Sequence, residues 1–370
     1  MHMVSVLINN HNYGDYVGEA IESVLNQTYK DFEIIVVDGD SSDHSRSVIM
    51  SYVEKYPKLI TAVFKPTSGQ AAAFNVGFKL SKGDIIAFLD SDDYFYNNKL
   101  QKIVELHDQY EFVGHARKAL DINGILKDCI APMDDIFTKE ALFHKYGYIY
   151  TYNLITSCIS VKRTILDKIL PMPEDDYVTF ADCYVKVMAE NYCNIFYCTE
   201  ALSFYRIHPV QRNKEFKNEE SANDFVVDLY NRVFHDINRT LDMRGEEKIP
   251  TLTSQRLHDA FLVANPTTNI QKDKCYAIYG AGINSYKIRN IINLIGGKVI
   301  MVTDTNEKKW GKLWNGLEIL SPKEVIERRN EYEQIVIGTT CYFNEVSEIL
   351  QSYGLHLQKD FSIVTSLPND

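Results

Sequence analysis

Apolar and polar positions along this chain follow two rhythms, and the switching between them predicts the elements. "VSVLIN" is a short, nearly continuous apolar run, as a buried strand requires. In "DYVGEAIESVLNQ" the apolar residues Val17, Ala20, Ile21, Val24 and Leu25 recur at helical spacing. "FEIIVVDG" is a second buried strand, ending at Asp38, with a helix expected from about Asp43. "ITAVFKP" then reads as a strand, "GQAAAFNVGFKL" as a helix and "DIIAFLD" as a fourth strand. "KLQKIVELHDQY" is helical again, with Leu100, Ile103 and Val104 on one face. Strands that alternate with helices predict an α/β fold with a mostly parallel sheet covered on both faces. Ligands of such sheets bind beyond the carboxyl ends of the strands, where Asn9, Asp38, Lys65 and Asp90 fall.

The rhythm changes after residue 212. Residues 213–271 are polar with amphipathic helical stretches, and "NPTTNIQKDK" reads as a linker. A second, smaller α/β pattern follows. "CYAIYGAG" is a strand meeting a glycine turn, and "NSYKIRNIINLI" is a helix with Ile288, Ile291, Ile292 and Ile295 on one face. "KVIMVTD" and "EQIVIGTT" are further strands. The expected organisation is a domain over 1–212, a helical segment and linker over 213–271, and an accessory domain over 272–370.

Composition narrows the function. The 370 residues exceed one typical domain. The net charge of −11 argues against bulk attraction to nucleic acid or to an anionic membrane surface. No apolar run approaches the ~20 residues that a membrane span needs. "MHMVSVLINN" reads as the start of a strand, without the basic region and cleavage site of a signal peptide. Seven cysteines form no CxxC pair, which fits a reducing cytoplasm better than a disulfide framework or a zinc site.

The candidate chemistry lies in "GDIIAFLDSDDY". A buried strand ends in Asp90, Asp92 and Asp93. Clustered carboxylates can hold Mg²⁺ or Mn²⁺ and, through the ion, a departing diphosphate. The alternative is an ordinary solvated turn after a buried strand.

Four stretches together resemble the family 2 glycosyltransferases of the GT-A fold. They are "VSVLINNHNYGDYVGEAIESVLNQTYKDFEIIVVDGDSSD", "SGQAAAFNVGFKLSKGDIIAFLDSDD", "FADCYVKVMAENY" and "LSFYRIHPVQ". The second is similar to a branch whose signature places S-G-Q-x-x-A-x-N-x-G ahead of the D-x-D. The resemblance implies inverting transfer of a sugar from a nucleotide-diphosphate sugar, UDP- or dTDP-linked, to a hydroxyl acceptor. Asp182 would be the general base, near a helix start where the dipole favours negative charge. Asp92 and Asp93 would hold the metal and the donor's ribose or diphosphate. His208 would be a third metal ligand or a donor to the diphosphate, and Arg206 could pair with phosphate. Asp38 and Asn9 would line the base pocket. Gln70 and Asn75 would face the donor crevice, and Asp90 would be structural or touch the sugar. Two departures stand out: Tyr184 where many relatives carry a second acid, and Asp38-Gly39-Asp40 where many carry adjacent acids. The family's usual setting implies a glycan or lipid-linked glycan acceptor, with peripheral attachment at the inner face of a membrane left open. Residues 122–155 are expected to form part of the acceptor side.

"GAGINS" over 280–285 is a second candidate site. Gly280 and Gly282 sit between a strand and a helix, and Asp304 ends the next strand, as a dinucleotide turn requires. The third glycine is replaced by Ser285, and no catalytic set for hydride transfer is visible. This domain resembles small Rossmann-like domains beside sugar acetyltransferases and methyltransferases. It is open to NAD or another nucleotide, to acceptor recognition, or to self-association into a homo-oligomer. An NAD-linked oxidoreductase or epimerase and a non-catalytic nucleotide-sugar-binding protein are the competing functions.

Overall fold

The computed structural model describes residues 2–66, 69–120, 126–129, 135–137, 154–208, 219–246, 248–253, 270–282, 285, 288–289, 292–293, 296–338, 343–357 and 359–363. The chain forms two compact units. The first comprises Met1–Lys145, Thr151–Arg212 and Tyr230–Pro250. The second comprises Tyr146–Tyr150, Asn213–Leu229 and Thr251–Asp370.

The first unit is built on β1 (Val4–Asn10), β2 (Phe32–Asp38), β3 (Ile60–Phe64) and β4 (Ile85–Asp90). They run parallel in the order β3-β2-β1-β4. The sheet continues through β9 (Ile159–Lys162), β6 (Phe112–Leu120), β10 (Ile195–Arg206) and the short β5 (Tyr94–Phe95). Strand β9 runs antiparallel to both neighbours, so the sheet is mixed beyond β4. Helix α1 (Gly14–Leu25) buries Val17, Ala20, Ile21 and Val24 against β1 and β2, as its spacing predicts. Helix α2 (Ser45–Lys55) shares that face through Ile49. Helix α3 (Gln70–Leu80) buries Ala71, Ala72, Ala73 and Phe74, and its Gly77 meets Leu7 and Val37 on the opposite face of the sheet. Register places Asn9 opposite Asp90 and Asn10 opposite Asp38. The candidate site residues Asn9, Asp38 and Asp90 therefore gather at the carboxyl edge of the sheet, where strand order reverses.

The polar segment after residue 212 contains α7 (Glu219–Arg244). Its residues from Tyr230 onward belong to the first unit, so the boundary expected at 212 divides differently in the structure. There Val233, Phe234, Ile237 and Leu241 are buried, and Asp236 accepts a hydrogen bond from the Tyr177 hydroxyl at 2.9 Å.

The second unit holds a six-stranded sheet around β11 (Cys275–Tyr279), β12 (Lys298–Thr303) and β15 (Gln334–Ile337), all parallel. Of the helix expected over 284–295, Ser285, Ile288, Arg289, Ile292 and Asn293 are described and helical. Ile288 and Ile292 are buried in its core, as their spacing predicts; the other helix positions lie outside the described residues.

Candidate active site

The acids at the end of β4 do not form a solvated turn. Asp92 is 7% exposed and Asp93 is 2% exposed. Burial, with the charges of Asp92 and then Asp182 nearby, pushes the Asp90 carboxyl up to about 7. The same causes, burial first and then the charges of Asp92 and Asp90, raise Asp93 well above the carboxylate range. Folding has therefore concentrated acids where their charged forms are costly, and each acid has its own compensation.

Asp93 is held entirely by the protein. Its Oδ2 accepts from the Ser157 hydroxyl at 2.6 Å and its Oδ1 from the Arg206 backbone N–H at 2.9 Å. Ser157 in turn accepts from the Asp90 backbone N–H at 3.1 Å. Below it lies Lys99, fully buried, whose Nζ donates to the Ser157 carbonyl at 2.8 Å and to the Ser203 hydroxyl at 3.2 Å. Burial pushes the Lys99 ammonium down to about 7. Its folded value is thus below its unfolded value of 10.5. Between those values the unfolded chain binds a proton that the folded chain does not, so stability rises with pH from about 7 towards 10. Lys99→Met should flatten this rise in thermal midpoint relative to wild type; parallel curves would show that Lys99 is not the group responsible.

Asp92 faces the opposite way. Its Oδ2 lies 3.0 Å from Nε2 of His208, and both side chains are nearly buried. Tyr13 and Tyr16 pack on the imidazole, with ring centroids at 5.5 and 4.6 Å. Two adjacent ligands of an octahedral Mg²⁺ or Mn²⁺ lie about 3 Å apart, so this pair fits one edge of such a sphere. Among the described residues no group of three or more His, Cys, Asp or Glu side chains is arranged to hold an ion. The candidate metal ligands are therefore Asp92 and His208, without Asp93, and the rest of the sphere would come from phosphate oxygens and water, as is usual for these cations.

Asp90 completes the tip. Its Oδ1 accepts from Asn9 Nδ2 at 3.0 Å and from Gln70 Nε2 at 3.1 Å. The base candidate Asp182 sits in the first turn of α6 (Ala181–Ala189), close enough for its charge to act on Asp90. Lys186, one turn on, binds Asp182 Oδ2 at 3.0 Å, while Oδ1 has no hydrogen bond among the described residues. Tyr184 takes no part. Residues i and i+2 of a helix do not share a face, and Tyr184 is buried with its hydroxyl on the Ile169 carbonyl at 2.9 Å.

Other expected site residues are engaged elsewhere. The Arg206 guanidinium donates to the Asp92 carbonyl at 3.0 Å and pairs with Glu19. It also lies over the rings of Tyr16 and Tyr94, and so clamps the tip. Asn75 binds the Met172 backbone through both its amide groups and reaches Glu174, which pins the segment before α6. Asp38 is 2% exposed, and its oxygens accept from Asn10, from the Ser41 hydroxyl and from the Ser41 N–H. It shapes the 38–41 turn, in which Asp40 adopts a φ of 63°. Thr156, Ser157, Lys99 and Asn10 were not legible beforehand. None stands in a recognisable motif, and each acquires its role through contacts distant in sequence. Of the expected acceptor segment 122–155, residues 126–129, 135–137 and 154–155 are described and the rest lie outside the described residues.

In the second unit Gly280 has a φ of 105°, a conformation suited to glycine. Asp304 meets this turn, as expected, but its carboxylate is already used. Oδ2 accepts from the Ala281 N–H at 2.8 Å and from Lys309 at 2.7 Å, and Oδ1 from the Asn306 N–H at 2.9 Å. The Ser285 hydroxyl donates to the Gly280 carbonyl, closing the turn further. Among the described residues nothing would lie within 4 Å of a Cβ at Gly282.

Comparison with known proteins identifies the class to which this mixed α/β fold belongs. The Glycosyl transferase family 2 model matches residues 5–170. A C2185-like, N-terminal model matches residues 271–360. An uncharacterized glycosyltransferase of Nostoc sp. is 32% identical over 267 residues, covering 65% of this chain and 81% of that protein. WfgD of Escherichia coli, a UDP-Glc:alpha-D-GlcNAc-diphosphoundecaprenol beta-1,3-glucosyltransferase, is 28% identical over 248 residues, covering 64% of this chain and 92% of its own. The structure of S. aureus TarS aligns with a TM-score of 0.49 at 17% identity, over 70% of this chain and 42% of that one. The chain belongs to glycosyl transferase family 2, and it is a glycosyltransferase with the GT-A fold followed by a second α/β sheet.

Proposed function

We propose that the protein is a metal-dependent, inverting glycosyltransferase that moves a hexose from a UDP- or dTDP-linked donor to a hydroxyl of a lipid-linked glycan. The observation that carries this reading is that one side chain, Gln70, bonds both Asp90 at the buried tip of β4 and the N–H of Ala181 beside Asp182. Asp182 Oδ1 would accept the proton of the attacking hydroxyl. Lys186 would keep the carboxylate oriented. Asp92 and His208 would hold Mn²⁺ or Mg²⁺, which when bound supplies charge stabilisation for the departing diphosphate. Asp93, through Ser157 and Arg206, would keep Asp92 in place. Asn9 and the 38–41 turn would form the wall against the base. The acceptor class is supported by the name of WfgD, whose chain this one matches over 92% of its length. Among the described residues no helix is long and apolar enough to cross a membrane.

The second unit is proposed as an accessory module. The carboxylate at its glycine turn is consumed by the turn itself and Lys309, which disfavours a ribose contact at Asp304.

Calorimetric titration of UDP, dTDP, GDP and NAD into the full chain, with and without Mn²⁺, tests the proposal. UDP or dTDP should bind, with affinity at least about tenfold higher when Mn²⁺ is present. Metal-indifferent binding of NAD alone would move the function to the second unit.

A further inference from the structure

The segment that leads into α6 is fastened to the start of α3. The N–H groups at a helix start have no partner within the helix, and here two of them find this segment. Gln70 N–H donates to the Val178 carbonyl at 2.9 Å and Ala71 N–H to the Tyr177 carbonyl at 3.2 Å. Gly69, with a φ of 115°, permits the approach, because a Cβ there would lie 2.3 Å from the Val178 carbonyl oxygen. Two residues further on, Phe180 adopts a left-handed φ of 63°. That conformation is costly for a bulky side chain and persists only where the surroundings hold it. The Ala181 N–H that follows it donates to Gln70 Oε1 at 3.0 Å.

The same side chain reaches the other half of the site. Gln70 Nε2 donates to Asp90 Oδ1 at 3.1 Å and to the Thr156 hydroxyl at 3.0 Å. A primary amide has two N–H donors and one carbonyl oxygen. Both donors are used within the protein, and so is one acceptor position of the oxygen. Gln70 therefore has no N–H left for a donor sugar or phosphate, the role its motif suggested.

Resting on the glycosyltransferase reading above, we propose that Gln70 is a positioning residue. It ties the first turn of the base helix to the acidic tip of β4, so that Asp182 and the donor-side acids are held in one frame. Its carbonyl also fixes the left-handed entry at Phe180, which sets the direction in which α6 leaves and hence where Asp182 lies. A misplacement of about 1 Å in a catalytic group can cost about 100-fold in rate.

The test is Gln70→Met, which keeps the length of the side chain and removes all three hydrogen bonds. Three readouts are taken on the full chain: amide hydrogen exchange over residues 177–189, Mn²⁺-dependent UDP affinity, and UDP release from UDP-glucose. The expected result is exchange at least about tenfold faster at Ala181 and its neighbours, UDP affinity within about twofold of wild type, and UDP release reduced about 100-fold. Weakened UDP affinity with unchanged exchange would overturn the proposal and make Gln70 a donor ligand. Unchanged exchange with unchanged turnover would overturn it as well. If UDP fails to bind the wild-type chain, the donor reading fails, and the exchange data alone decide the role of Gln70. If the variant does not fold, the wild-type exchange decides: an Ala181 amide no slower than a free one overturns the bond on which the proposal rests.

Discussion

Asp182→Asn should reduce sugar transfer by about three orders of magnitude while Mn²⁺-dependent UDP binding stays within about twofold. General bases contribute roughly 10² to 10⁴ in rate, and Asp182 is the base in the mechanism proposed above. Asp182 opens α6, is largely shielded from solvent, and keeps one oxygen without a hydrogen bond among the described residues. Asparagine preserves size and the contact region with Lys186, so the fold should tolerate it. Loss of an interaction made only in the transition state lowers kcat and kcat/KM together. Turnover within a few-fold of wild type would remove Asp182 from the mechanism. A collapse of UDP affinity instead would mean that the residue supports donor binding.

The acids at the end of β4 should separate into two phenotypes. Asp92→Ala and His208→Ala are each expected to weaken Mn²⁺-dependent UDP binding by about 10- to 100-fold with a modest change in thermal midpoint. Asp93→Ala should act first on stability. It strands the Ser157 hydroxyl and the Arg206 N–H, which both point at Asp93, at about 1–3 kcal/mol for each buried group left unpaired. Thermal unfolding and calorimetry on the three variants check this. If Asp93→Ala abolishes metal-dependent binding at unchanged stability, then Asp93 is a ligand and the assignment to Asp92 and His208 is incomplete.

Local patterning carried much of the architecture. The apolar runs of β1, β2 and β4 and the spacing in α1 read directly as a parallel sheet covered by helices, because burial on both faces leaves an unbroken apolar signature. The same reading placed Asn9, Asp38 and Asp90 at strand ends, where the register of β1 with its neighbours brings them together. Residue type also marked the chemistry: three acids at a strand tip, an acid opening a helix, a histidine after the last long strand.

Partnership was decided only in three dimensions. Asp92 and Asp93 are adjacent in sequence, yet one faces His208 and the other Ser157, because they stand in the turn beyond β4, where the Asp93 N–H closes on the Asp90 carbonyl at 3.0 Å. Arg206, Asn75 and Asp38 are residue types that bind nucleotides elsewhere, and here their hydrogen-bonding groups are engaged within the chain. Lys99 and Ser157 are 58 residues apart and meet beneath the tip, through a contact that no periodicity encodes. The sequence by itself determined the class of fold and the edge at which chemistry would gather, since these follow from burial patterns and residue types along a local stretch, and the family through the resemblance of four stretches taken together. Which side chain serves as ligand, clamp or strut was decided by the tertiary structure. Most buried donors and acceptors find a partner, and only the assembled sheet shows which partners are already engaged.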